Sequence, residues 1–134
     1  MGTPNLAVTV DWHAAGAGAL ADLGVLAPVV GIYTALHATG AISGDAGVIV
    51  TAVIAVFVAP LVGGAVAARS ASSAPLTNAS VAATLGVGAY LVFRVIDAVV
   101  RSRPLSPGSA VILTMLSVLA GAVGGAAGAR LHRR

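Results

Sequence analysis

The sequence predicts an all-α protein of four transmembrane helices. Three observations predict it. Mean hydropathy is +1.02, with 58% of residues in the hydrophobic set and only 8% charged. Four apolar windows of about 22 residues each recur along the chain, and each would give roughly 33 Å of helix, enough to cross a bilayer. None of them alternates polar and apolar residues, as the strands of a membrane barrel would. A soluble globular domain, a disordered chain and an ordinary soluble enzyme are excluded by the same composition. The 134 residues allow one domain.

The first window covers 17–39, with room to begin near Trp12, and holds Asp22 and His37. The second, 47–68, has no charge. The third, 79–100, holds Arg94 and Asp97, and the fourth, 109–130, is uncharged until Arg130. The connections carry turn chemistry. Gly40 to Ala46 is short and makes a tight antiparallel hairpin. Arg69 to Asn78 is Ser-rich and contains Pro75, with Thr77 or Asn78 as the expected N-cap of the third helix. Arg101 to Gly108 contains two prolines, a stop followed by a restart.

All seven basic residues are Arg and all four acidic residues are Asp. Four spans put both termini and the middle loop on one side. That side holds Arg69, Arg130, Arg133 and Arg134. The other holds Arg101 and Arg103, offset by Asp45. The positive-inside rule then places both termini in the cytoplasm and the chain in the cell (plasma) membrane. The high pI does not indicate nucleic acid, because the basic residues flank apolar spans without interleaved aromatics. The first twelve residues have no positive n-region, so the first span serves as the insertion signal.

The two halves match each other in order. Leu23-Gly24-Val25 and Ala27 correspond to Leu85-Gly86-Val87 and Ala89. Val48 to Thr51 corresponds to Val111 to Thr114. Gly63-Gly64 with Arg69 corresponds to Gly124-Gly125 with Arg130. The pattern reads as a tandem duplication of a helical hairpin, giving parallel repeats. Chance self-matching in a chain rich in Ala, Val, Gly and Leu is the alternative.

Small residues recur every four positions, the spacing that lets helix backbones approach in lipid. The fourth span has Ser117, Gly121, Gly125 and Ala129. The second has Ala55, Ala59, Gly63 and Ala67. The first has Ala27, Gly31 and Ala35, and the third Ala82 and Gly86. Pro28 and Pro60 remove one backbone hydrogen bond each and bend their helices, more often as static kinks than as hinges.

The candidate polar intramembrane site is Asp22, His37, Arg94, Asp97 and Arg101. Arg94, Asp97 and Arg101 share a helix face at spacings of three and four, and His37 lies near the same outer end. One reading is an anion or proton path or a docking point. The other is a self-neutralised pair that locks the hairpins together. There is no Cys, no His-x-x-x-His, no P-loop and no nucleophile elbow, so no catalytic, cofactor or metal residues are assigned and no enzyme is expected.

Val10-Asp11-Trp12, the Gly/Ala-rich first helix and two Gly-Gly-x-x-x-x-Arg helix ends resemble the uncharacterised small four-helix membrane proteins of bacteria and archaea. That resemblance implies the fold and no activity. The small fluoride channels also have four spans and Gly-Gly runs followed by Arg, but they rely on a pore Asn and several Phe, and this chain has two Phe. The small multidrug exporters depend on a Glu in the first helix, where this chain offers only Asp22. The expected function is non-enzymatic: helix–helix contact as a homo-oligomer or as an accessory subunit of a larger membrane complex. The alternatives are a small oligomeric channel or transporter and a holin-like pore former.

Overall fold

A computed structural model describes residues 9–42, 45–100, 102, 104 and 106–132; of Asp45, Ala46, Val48, Asp97 and His132 it describes the backbone only. All regular structure in it is helical: α1 (Trp12–Ala38), α2 (Asp45–Val53), a π turn (Ile54–Val58), α3 (Ala59–Ser70), α4 (Pro75–Val100) and α5 (Pro107–His132). Four helices are long and apolar enough to cross a membrane; the second runs through the π turn as Ile49–Ser70. Leu20, Ile32, Val53, Val92, Val99, Ile112, Met115, Leu119 and Val123 are among many large apolar side chains on the outside.

The helices begin earlier than hydropathy alone places them, because each starts in a polar turn. Asp11 caps α1: its Oδ1 accepts the amides of His13 and Ala14, both at 3.1 Å. α4 starts at Pro75, where a missing N–H costs nothing. Neither Thr77 nor Asn78 is therefore its N-cap. Asn78 is fully buried and joins two elements instead. Its Oδ1 accepts the amide of Asp11 at 2.8 Å, and its Nδ2 donates to the carbonyls of Ser73 and Ala74. Those bonds hold Ala74 in a left-handed conformation, φ +47°. α1 ends in a Schellman motif: Ala41 N–H reaches Leu36 and Gly40 N–H reaches His37, with Gly40 at φ +71°.

The π turn sits directly before Pro60. The Ala59 amide bonds to Ile54, five residues back, and this widened turn accommodates the proline ring inside the span. Thr34, Thr51, Thr84 and Thr114 each donate their hydroxyl to the carbonyl four residues earlier at 2.8 Å, which satisfies them within their own helices.

α3 and α4 occupy the middle. Each touches α1 on one side and α5 on the other, while α1 and α5 do not meet among the described residues. Glycine makes the approaches possible. A Cβ on Gly64 would strike Gly121, one on Gly124 would strike Leu61, and one on Gly128 would meet the backbone of Ala65. Gly121 and Gly125 face the methyls of Ala83 and Ala79. Gly18 lies on Gly63, Ala67 and Ala82. Three of the four small-residue stripes are thus packed inside the bundle. This tight packing belongs to the end that carries the start of α1. Toward the other end α1 leaves its neighbours, and nearly every residue from Ala27 to Gly40 is exposed or half-buried.

Candidate functional site

The divergence of α1 from α4 opens a wedge-shaped cavity of about 1050 Å³. Its floor is apolar. Leu26 and Tyr90 pack there with Ala55 and Ala59, and Val25 and Val30 close over them. Its walls are Leu23, Ala27, Val30 and Gly31 of α1 with Ala89, Phe93 and Ala98 of α4. Its polar groups gather toward the mouth: Tyr33, Thr34 and His37 from α1, Thr51 from α2 and Arg94 from α4, beside Pro104 of the last connection.

Helical spacing accounts for those polar positions. Tyr33 and His37 are four apart, so their rings stack, centroids 5.8 Å apart. The Tyr33 ring lies over Gly47, where a Cβ would stand 2.7 Å from it. Tyr90 and Arg94 are also four apart, and Arg94 Nη1 donates to the Tyr90 hydroxyl at 3.4 Å. His37 and Arg94 therefore line one cavity. Arg101 lies outside the described residues, as does the side chain of Asp97.

Asp22 is apart from that group. It lies one helical turn below Leu26, on the core face of α1, and is 1% exposed. Ten residues separate it from Trp12, about 15 Å along the helix, so it stands near the middle of α1. Its side chain rests on two glycines, the carboxyl on Gly86 and the Cβ on Gly63. A Cβ on Gly86 would collide with Oδ2, and one on Gly63 would come within 2.9 Å of its Cβ. Oδ2 has no hydrogen-bond partner among the described residues, and the same is true of Ser117 Oγ, one turn from Gly121 on α5. A carboxyl buried without a partner is costly in its charged form.

Of the small residues singled out from the sequence, Ala55, Ala59, Gly63, Ser117, Gly121 and Gly125 are buried between helices and Ala129 is half-buried. Gly31 is exposed, and a Cβ there would meet nothing within 4 Å. Several residues that build the site carried a four-residue spacing not singled out in the sequence: Gly18 with Asp22, Gly124 with Gly128, and Tyr90 with Arg94. Asn78 carried no such signal, since it joins the carbonyls just before its helix to the Asp11 amide across the bundle. Among the described residues no three His, Cys, Asp or Glu side chains come together as a metal site. Comparison with protein-family models, with curated proteins and with solved structures finds no match to this chain.

Proposed function

We propose that the chain is a non-enzymatic integral membrane protein of the cell membrane, with both termini in the cytoplasm, and that it acts by helix–helix contact as a homo-oligomer or accessory subunit. One observation carries the contact reading. At 100° per residue, Gly31 lies nine residues and 180° from the buried Asp22, on the opposite face of α1. Gly24, Ala27, Gly31, Ala35 and Ala38 all fall within about 40° of that outward direction, and all are exposed. Apart from the adjoining backbone of α1 itself, no atom of the described residues lies within 4 Å of a Cβ built at Gly24 or Gly31. A face turned to lipid tails gains nothing from glycine, whereas a face turned to another helix gains close approach.

The test is native mass spectrometry of gently extracted protein, wild type against Gly24→Leu and Gly31→Leu. Neither substitution disturbs the protomer's interior, so a monomer of normal thermal stability is expected where the wild type shows a complex. Unchanged assembly in both variants would discard this face as the interface.

A second reading, a small channel or carrier, draws support from Asp22, a mid-span carboxyl one turn below the floor of an open wedge. It predicts that Asp22→Asn abolishes ion or proton flux in proteoliposomes while assembly persists. The hairpin duplication belongs here too. Corresponding helices lie side by side nearly in register: Asp22 with Gly86, an offset of 64, and Leu61 with Gly124, an offset of 63. These offsets stand close to the 61 to 63 of the sequence matches. The contact of α3 with α4 has no counterpart between α1 and α5, so the two hairpins depart from an exact two-fold arrangement.

A further inference from the structure

We propose that the wedge between α1 and α4 is a binding site for an anionic phospholipid, with the headgroup phosphate held at Arg94 and one acyl chain lying down to Leu26. The inference goes beyond the helix-contact reading; Ala27, Gly31, Ala35 and Ala38 border the wedge as well as the contact stripe, and Gly24 is the stripe residue that lies outside it. Three properties of the cavity carry it.

The first is size. At about 1050 Å³ the wedge is at the upper end of cavities that take small molecules, and no part of the described chain fills it. The second is the order of its lining. Moving from floor to mouth along α1, Leu26 and Val30 give way to Tyr33 and His37, with Arg94 on α4 across from them. From Leu26 to His37 is about 16 Å of helix, an apolar slot with a polar rim. An amphiphile matches that order, and neither a wholly apolar nor a wholly polar ligand does.

The third is charge. Arg94 stands six residues, about 9 Å, before the end of α4, near the depth at which a span meets lipid headgroups. A guanidinium presents a planar fork of donors that fits a phosphate with two parallel bonds, and the Tyr90 hydroxyl fixes one edge of it. The Tyr33 hydroxyl and the His37 ring, held in place by their stacking, offer further donors at the rim.

The experiment is native mass spectrometry of the full chain released from nanodiscs of equal phosphatidylglycerol and phosphatidylcholine with identical acyl chains. Retention of phosphatidylglycerol at least about tenfold over phosphatidylcholine is expected, because both lipids offer the phosphate but the choline cation of phosphatidylcholine opposes the Arg94 guanidinium. Arg94→Gln should abolish the preference and Arg94→Lys should keep part of it. Ala89→Phe, which fills the slot from an exposed wall position, should reduce retention of both lipids. Asp97→Asn, which removes a carboxylate three residues from Arg94, should leave retention equal or higher. Gly24→Leu, outside the wedge, should leave it unchanged even where it dissolves the complex. A phosphatidylglycerol preference that survives Arg94→Gln overturns the proposal. So does inorganic phosphate binding as tightly as the lipid, because the acyl slot would then contribute nothing.

Discussion

Asp22 and Gly86 fit each other. The carboxyl occupies the space a side chain on Gly86 would need, so Gly86→Ala should push Oδ2 into its neighbours at a cost of about 1–3 kcal/mol. Asp22→Ala removes a buried group with an unsatisfied oxygen, and its stability should equal or exceed that of the wild type. In the double variant the Gly86→Ala penalty should shrink, a coupling that thermal unfolding in detergent measures as a double-mutant cycle. Additive effects would mean that the two residues do not share that space. Asn78 behaves in the opposite way. Asn78→Ala leaves the Asp11 amide and the Ser73 and Ala74 carbonyls without their partner, for about 1–3 kcal/mol. Beside it, the amide of Ala14 holds the Asp11 carboxyl below its ordinary value of 3.8, helped by Ser72 and His13. A lowered value means that the carboxylate contributes stability above pH 3.8 and loses it as the pH falls through the folded value. A titration of the melting temperature from pH 5 downward should show that loss, and Asp11→Asn should remove it.

At the scale of elements, glycines that look alike in the sequence serve opposite ends. Gly124→Leu drives a side chain into the Leu61 backbone and should cost about 3 kcal/mol or more, seen as loss of the folded monomer. Gly121→Leu meets Ala83 and should act in the same way. Gly31→Leu meets nothing and should leave the monomer's melting temperature within experimental error. The spacing rule made Gly121 and Gly31 legible as helix-contact residues, though not Gly124, because a four-residue period places small side chains on one stripe whatever lies opposite. It does not say what lies opposite. That depends on how far helices diverge, which is set by long-range features: the clamp between Asp11 and Asn78 at one end, and Tyr33 seated on Gly47 at the other. For the same reason the wedge was not legible, although two of its polar residues, His37 and Arg94, were. The helix starts at Trp12 and Pro75 escaped a hydropathy window because their first turns are polar or small. Asp11, read only as part of a lead-in, is the cap that sets the first of them.

For the whole molecule the decisive question is sidedness, because it fixes which compartment the wedge opens toward. Four spans put the Asp11–Asn78 clamp and the connection at residues 71–74 on the side of both termini. The mouth of the wedge, with His37, Arg94 and Pro104, then lies on the other side. Arg69, Arg130, Arg133 and Arg134 outnumber Arg101 and Arg103, and Asp45 offsets the smaller group. In the proposed topology, retention of positive loops in the cytoplasm directs the wedge outward. The chain has no cysteine, so single-cysteine variants report without background. Ser73 and Ser102 are exposed, in opposite connections, and neither side chain makes a hydrogen bond among the described residues. In intact cells a membrane-impermeant maleimide should label Ser102→Cys and spare Ser73→Cys until the cells are lysed. The reverse pattern would turn the wedge toward the cytoplasm and make the inner leaflet the source of its lipid. Labelling of both in intact cells would contradict the four-span topology itself, since a single crossing, α4, lies between the middle connection and the last and puts them on opposite sides.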